Sequence, residues 1–266
     1  MTEDAEQLVF VELLAEPDSY SNLFADLPLK VSEVADEDDS KKRITYYAVE
    51  IEGDVDGFVN KVVGILHNMS WMYDLVKDCD MEDVYRLRAE KTIQAIDEAI
   101  EKAKADPDNE DGLAAEFREL TVSVCSQAAL RMKRAVRVVP LAELLKEKVR
   151  GNPGFDFHVI EQNGMLVVGE AKYRRARRGH LAALKQVAGF VREKKHISDI
   201  GVLRDFAPRD TIEMLRRGRF GVGIGFSTAG ENHRSYKGAI TKMREKEGYL
   251  PGKTLLVIGI NNDEIF

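Results

Sequence analysis

Residues 154–173 read GFDFHVIEQNGMLVVGEAKY, and this stretch decides the fold of the second half of the chain. Two β-prone runs, 155–161 and 165–173, are joined by Gln162-Asn163-Gly164. Asn-Gly between such runs is a strong signal for a β-hairpin, because both residues tolerate a positive φ. The continuous apolar stretch in the second run is typical of a strand buried on both faces. The segment therefore predicts a hairpin whose second strand lies inside a sheet.

Acidic and basic side chains stand at the open end of this predicted hairpin. Asp156 opens the first strand, and Glu170-Ala171-Lys172 closes the second. Side chains alternate along a strand, so Glu170 and Lys172 share one face. Hard divalent cations prefer oxygen ligands, and a nearby ammonium group stabilises the charge that develops during phosphodiester hydrolysis. The pattern predicts a metal-dependent catalytic site built from Asp156, Glu170 and Lys172.

The pattern of an aspartate followed by an acid, any residue and a lysine also occurs elsewhere in the chain. Asp26 followed by Asp39-Ser40-Lys41 also has the spacing, and Glu193-Lys194-Lys195 repeats the acid-x-lysine part. Asp39 lies in a run of solvated charges and Glu193 lies late in a predicted helix, so neither follows a buried strand. For the hairpin residues, a turn carboxylate beside a surface ion pair is the alternative interpretation. The hairpin context and the basic segment that follows favour the metal site.

The clearest break in the chain is the segment 106–112, DPDNEDG. It separates an acidic N-terminal α+β region, residues 1–105, with a regulatory or partner-binding role, from a second domain over residues 106–266. Periodic patterns in the second domain predict an α/β fold, a mixed sheet flanked by helices. The predicted helices are 59–66, 82–104, 113–133, 141–149, 179–195, 208–217 and 235–247, and the predicted strands outside the hairpin are 44–51, 200–203, 220–227 and 254–260.

The charge is distributed unevenly along the chain. Residues 1–150 contain 33 acidic and 19 basic residues, a balance of −14, whereas residues 151–266 contain 13 and 20, a balance of +7. A basic half binds a polyanion through phosphate contacts and counterion release. Arg174, Arg175, Arg177 and Arg178 follow the predicted site directly, and we expect them to contact nucleic-acid phosphates. A solvated charged face is the alternative interpretation of these arginines.

Other features of the sequence indicate a soluble, cytoplasmic protein. No window approaches 18 consecutive apolar residues, and the N-terminus is acidic where a secretory signal would be basic. Cys79 and Cys125 show neither a disulfide framework nor a zinc pattern. His158 and His180 flank the predicted site, and a packed or surface role is favoured over a catalytic base for both. Residues 221–225, GVGIG, lack the turn of a nucleotide-binding loop and predict a strand with close backbone approach.

Residues 154–173 and the helix after them resemble the PD-(D/E)XK nuclease superfamily, and the resemblance covers about residues 112–260. It implies a restriction-endonuclease-like domain over residues 106–266. By the same resemblance, Asp156 and Glu170 bind Mg²⁺, with Mn²⁺ as a substitute, and Lys172 assists the attacking water.

Two further residues come from the same resemblance. Many members carry a catalytic glutamate on the helix before the hairpin, and Glu116 in GLAAEFREL fits that place, with an ordinary exposed glutamate as the alternative. Glu119 lies well away from the apolar stripe of this helix. RecB-like members carry Gln-x-x-x-Tyr on the helix after the hairpin. Gln186 fits that glutamine and is assigned to nucleic-acid binding, although Phe190 replaces the tyrosine.

The order of an acidic N-terminal region, a Gly-Leu-x-x-Glu helix and an Asp-x-His hairpin ending in Gly-Glu-Ala-Lys is similar to the nuclease subunit of the Hachiman anti-phage defence system. This resemblance implies a Mg²⁺-dependent endodeoxyribonuclease that cleaves DNA as an effector subunit gated by a helicase partner. Two alternatives remain at this point. One is a non-cleaving nuclease-fold subunit that binds nucleic acid or a partner, and the other is a stand-alone restriction endonuclease.

Overall fold

The computed structural model describes residues 19–34, 44–75, 81–105, 113–145, 154–173, 179–228, 250 and 254–261. These residues form an α/β fold around one seven-stranded mixed sheet with the spatial order β1-β2-β7-β6-β5-β4-β3. The four strands β2, β7, β6 and β5 run parallel, and the pairs at both edges are antiparallel. In chain order the strands are β1 (Leu29–Val34), β2 (Ile44–Ile51), β3 (Ala135–Val139), β4 (Phe157–Glu161), β5 (Leu166–Lys172), β6 (Gly221–Ser227) and β7 (Leu255–Asn261).

Helices of very different lengths surround this sheet. In chain order they are α1 (Ser19–Ala25), α2 (Val55–His67), α3 (Ser70–Leu75), α4 (Glu82–Ala105), α5 (Leu113–Lys133), α6 (Ala142–Leu145), α7 (Gly179–Arg192), α8 (Lys195–Ser198), α9 (Ile200–Leu203) and α10 (Arg209–Arg216). None of the described helices is long and apolar enough to cross a membrane.

Helix α5 is the central helix of the molecule. It packs against α1, α4 and strands across the sheet. Between residues 117 and 130 every side chain except Glu119 is buried, including the polar Arg118, Ser126 and Gln127. A helix that is enclosed on all sides has no broad solvent face. Its apolar stripe therefore does not show which polar residues point into the protein.

Helices α5 and α7 cover opposite faces of β6. A side chain placed at Gly225 would meet Ser126 and Val122 of α5, whereas the ring of Phe226 lies 5.4 Å from that of His180 on α7. Neighbouring residues on a strand point to opposite faces, which places one helix on each side. Residues 221–225 thus form a buried strand with close backbone approach, as the sequence predicted.

The predicted hairpin is present as β4 and β5. Glu161 and Met165 close its turn through a hydrogen bond from Glu161 N to Met165 O of 3.0 Å. Gly164 has a φ of +74° and supplies the left-handed residue that a three-residue loop of this kind needs. Asn163 does not have a positive φ; its side chain instead accepts a hydrogen bond of 2.9 Å from Met165 N. The prediction of a positive φ is therefore correct for Gly164 and wrong for Asn163.

Phe157 holds the hairpin against the sheet. Its ring occupies the space where side chains would stand at Gly169 on β5 and at Gly223 on β6. The ring is fully buried, so it spans two neighbouring strands at the level of the predicted site. These two glycines are required for close packing rather than for turn geometry.

One predicted strand is wrong. Residues 200–203 form the short helix α9, in which Ile200 and Leu203 are buried and three residues apart. Four apolar residues fit a strand or a buried helical turn equally well, and the backbone bond from Val202 N to Asp199 O selects the helix. The helix predicted over 113–133 matches α5 residue for residue.

The sheet crosses the domain boundary predicted near residue 106. β2 pairs with β7, so residues 44–50 are hydrogen-bonded to residues 255–261. The edge strands β1 and β3 and the helix α1 were not predicted. The predicted loop 106–112 and helix 235–247 lie outside the described residues, as do Cys79, Arg174, Arg175, Arg177 and Arg178.

Candidate functional site

The structure brings the three predicted residues together where β5 ends and β4 begins. Asp156, the residue before β4, donates from its backbone N to Gly169 O at 2.8 Å. Its carboxylate Oδ2 accepts a hydrogen bond of 2.7 Å from the backbone N of Ala171. Gln127 of α5 fixes the same strand end by donating to His158 O at 3.2 Å. The Asp156 carboxylate is therefore held in place by the backbone of the neighbouring strand.

Glu170 lies at the centre of the site and is fully buried. Its Oε1 lies 3.0 Å from the Nζ of Lys172, which confirms that the two side chains share one face of β5. Apart from this ion pair and the neighbouring Asp156 carboxyl group, the described residues offer its carboxylate oxygens no hydrogen-bond partner. Burial raises the pKa of Glu170 well above its ordinary value, and the negative charge of Asp156 raises it further.

Asp156 has a raised pKa for the same reasons. Burial is the main cause and brings the pKa to about 6, although the charge of Lys172 and the bond from Ala171 lower it. The negative charge of Glu119 raises it again, and a hydrogen bond with the Glu170 carboxyl group lowers it. Two carboxyl groups at hydrogen-bond distance must share a proton or a cation, because two bare negative charges repel each other.

Within the part of the chain that the structure describes, Lys172 is the basic side chain that contacts these carboxylates. Its side chain is 12% exposed, and its Nζ lies 3.1 Å from Oε2 of Glu119 as well as 3.0 Å from Glu170. Burial on its own lowers the pKa of Lys172, but the carboxylates of Glu170, Asp156 and Glu119 outweigh it and raise the pKa. Lys172 is therefore a protonated donor and has no lone pair with which to accept a proton.

Glu119 is the residue that sequence reasoning missed. It was set aside because it lies off the apolar stripe of its helix, yet it contacts Lys172. Glu116, which was predicted instead, lies one turn earlier in α5, and its side chain falls outside the described part of the structure. Spacing offered a weak signal, since residues three apart occupy neighbouring places on a helix.

The neighbouring residues of the site are also fixed by packing. Arg118, which is 3% exposed, places its guanidinium group 5.3 Å from the ring centre of Tyr173. His158 is buried against Phe155, with its Nε2 3.5 Å from Asp199, so it is a packed histidine as predicted. Gln186 is half-buried in α7, and none of its described contacts joins it to Lys172 or the carboxylates.

The donor set fits a divalent cation. Asp156, which is partly buried, and Glu170, which is fully buried, supply two carboxyl groups that need a shared cation or proton, and oxygen ligands of this kind suit Mg²⁺ or Mn²⁺. Across the described ranges, no group of three or more His, Cys, Asp and Glu side chains is arranged to hold a metal ion. Mg²⁺ is commonly held by one or two carboxylates together with water and substrate phosphate, so two protein ligands suffice.

Comparisons of the chain with models of protein families, with curated proteins and with solved structures find no match. The function therefore has to be inferred from the side chains and their surroundings.

Proposed function

We propose that the chain is a metal-dependent nuclease whose site consists of Asp156, Glu170 and Lys172. The observation that carries the proposal is the pair of carboxyl groups, Glu170 fully buried and Asp156 partly buried, with the Nζ of Lys172 3.0 Å from Glu170. Placing a second carboxylate beside a fully buried one opposes folding unless something positive lies between them. A purely structural role would be served by apolar residues at these positions, which fold without this cost.

The chain's own groups have clear roles in hydrolysing a phosphodiester. A divalent cation bound by the two carboxylates would activate water and neutralise charge on the phosphate. Lys172, as an ammonium, donates a hydrogen bond to an oxygen that gains negative charge, or to the attacking water to orient it. The raised pKa excludes it as the group that removes a proton from that water. Asp156 keeps its orientation through the bond from Ala171 N.

The remaining parts of the proposal follow from charge and from sequence resemblance. The balance of +7 in residues 151–266 supports a nucleic acid as substrate, and we propose DNA. We further propose that residues 106–266 form a restriction-endonuclease-like domain, as in PD-(D/E)XK nucleases. The resemblance to the Hachiman nuclease subunit supports an effector of anti-phage defence that is gated by a helicase partner. In that role Arg174, Arg175, Arg177 and Arg178 would hold the DNA backbone.

A second candidate is a non-cleaving subunit that binds nucleic acid or a partner. One observation favours it: Lys172 already neutralises Glu170, and in the described ranges no third side chain completes a metal site. Such a subunit would bind DNA equally well with EDTA and would be insensitive to changes at Lys172.

The test is cleavage of supercoiled, linear and single-stranded DNA by the purified chain, with Mg²⁺, with Mn²⁺ and with EDTA. We expect EDTA and the nearly isosteric Glu170→Gln and Asp156→Asn variants to abolish cleavage, and Lys172→Met to slow it by about 10²- to 10³-fold. Glu193→Gln is the matched control, because it removes an exposed acid from the other acid-x-lysine sequence. Cleavage that continues unchanged in Glu170→Gln would contradict the proposal. Metal-independent DNA binding without cleavage, even with a helicase partner added, would favour the second candidate.

A further inference from the structure

Lys172 is shared between two carboxylates that differ in position and exposure. Glu170 lies two residues before it on β5 and is fully buried, whereas Glu119 comes from α5 and its side chain is 39% exposed. The two distances from Nζ are nearly equal, at 3.0 Å and 3.1 Å. An ammonium group has three N–H donors, so both contacts can exist together. The lysine therefore has a second partner that does not belong to the proposed metal ligands.

Cation binding at Glu170 would weaken the hold of this residue on Lys172. The Glu170 carboxylate would attract the ammonium group less once it binds the cation, and the cation itself would repel the ammonium group. A largely buried ammonium without a partner is strongly disfavoured. Without a second anchor, the lysine would either compete with the cation for Glu170 or leave the site.

We propose that Glu119 is a positioning residue that keeps the ammonium group of Lys172 at the site while Glu170 binds a divalent cation. The inference rests on the proposed function and adds a role for a residue outside the proposed ligand set. Glu119 meets Lys172 from a separate element, so its contact does not depend on how the Glu170 side chain turns. The helix that carries it is packed across the sheet and provides a rigid support.

The geometry favours this role over direct metal binding by Glu119. Its Oε2 is engaged by Lys172, and its side chain is 39% exposed, in contrast to the buried Glu170. No metal-holding group of three His, Cys, Asp or Glu side chains forms among the residues whose placement is described, and therefore none includes Glu119. Its influence on the carboxylates is instead electrostatic: its charge contributes to the raised pKa of both Asp156 and Glu170.

The test is calorimetric titration of the full chain with Mg²⁺ and with Mn²⁺ in a double-mutant cycle. We expect Glu119→Gln to weaken cation binding about tenfold, the loss expected when a charged hydrogen bond is left unsatisfied. In a Lys172→Met background the same change should alter the affinity by less than about threefold, because the lysine that it supports is gone. Glu50→Gln is the control, since it breaks an exposed Lys30–Glu50 pair of 2.8 Å and should leave the affinity unchanged.

Each outcome separates the possibilities. Equal weakening in both backgrounds would identify Glu119 as a direct ligand or a general charge effect and would overturn the inference. Unchanged affinity in Glu119→Gln would also overturn it, while leaving the proposed function intact. Failure of the wild-type chain to bind either cation would overturn the proposed function and this inference together.

A second measurement reports on the lysine itself. With saturating Mg²⁺, the ¹⁵N-labelled ammonium group of Lys172 should give a protected NMR signal in the wild type and lose it in Glu119→Gln. An identical signal in both would contradict the positioning role. Thermal unfolding verifies that the variant is folded. Should Glu119→Gln not fold, Glu119→Asp keeps the charge on a shorter side chain and should shift binding in the same direction by less.

Discussion

Two stretches of this chain carry an acid, any residue and a lysine, and only one of them forms a candidate site. Glu170-Ala171-Lys172 ends a buried strand, with Glu170 fully buried and Lys172 12% exposed on its side chain. Glu193-Lys194-Lys195 lies where α7 ends, with Glu193 and Lys194 exposed and Lys194 in the left-handed conformation at a φ of 58°. A strand places residues i and i+2 on one face, whereas a helix or turn does not.

The difference between the two stretches comes from what surrounds them. Glu170 meets the carboxyl group of Asp156, which precedes β4, and a lysine that is shared with α5. Exposed side chains such as Glu193 are solvated by water and need no such partners. The chemistry of Glu170-Ala171-Lys172 therefore depends on burial and on residues from distant parts of the chain. The local acid-x-lysine sequence contributes only a small part of it.

The largest expected difference between the stretches is in how stability depends on pH. Burial raises the pKa of Asp156 from 3.8 to about 6, so between these values the unfolded chain releases its proton first. Through this group alone, the metal-free protein should lose up to about 3 kcal/mol of stability as pH rises through this window. The pKa of Glu170 is also raised, which adds to the loss.

Urea unfolding in EDTA between pH 4.5 and 8 measures this dependence. Asp156→Asn should flatten the curve, and Glu193→Gln should leave it unchanged because that side chain is exposed. Added Mg²⁺ should stabilise the protein more at pH 8 than at pH 5, since protonated carboxyl groups bind cations poorly. A stability that increases from pH 4.5 to pH 7 in EDTA would contradict the raised pKa values of these two carboxyl groups.

A smaller effect on stability is expected from alanine substitutions at the glycines that precede the two acid-x-lysine sequences. A methyl group at Gly169 would collide with the buried ring of Phe157, whereas nothing lies within 4 Å of one at Gly189 in α7. Gly169→Ala should therefore destabilise the protein by about 2 kcal/mol through overpacking. Gly189→Ala should stabilise it by about 1 kcal/mol through helix propensity. Equal urea midpoints for the two variants would show that the strand is not packed as described.

The sequence predicted the hairpin and its three site residues, because strand alternation and a glycine turn are local properties. It did not predict Glu119, because the side of a helix that faces the sheet depends on its rotation about its own axis, and α5 is buried nearly all round. The strand predicted over 200–203 was wrong, since four apolar residues carry no period. β1 was missed because it is an edge strand whose burial does not alternate regularly and which includes the charged Lys30 and Glu33.

The account depends most on one claim, that a divalent cation binds between Asp156 and Glu170. The most direct measurement is a crystal structure of the chain with Mn²⁺, using anomalous scattering to locate the ion. We predict an anomalous peak within coordination distance of a carboxylate oxygen of each residue, absent from crystals of Glu170→Gln grown in the same solution. If saturating Mn²⁺ gives no peak at this position and Lys172 still contacts Glu170, the account is contradicted.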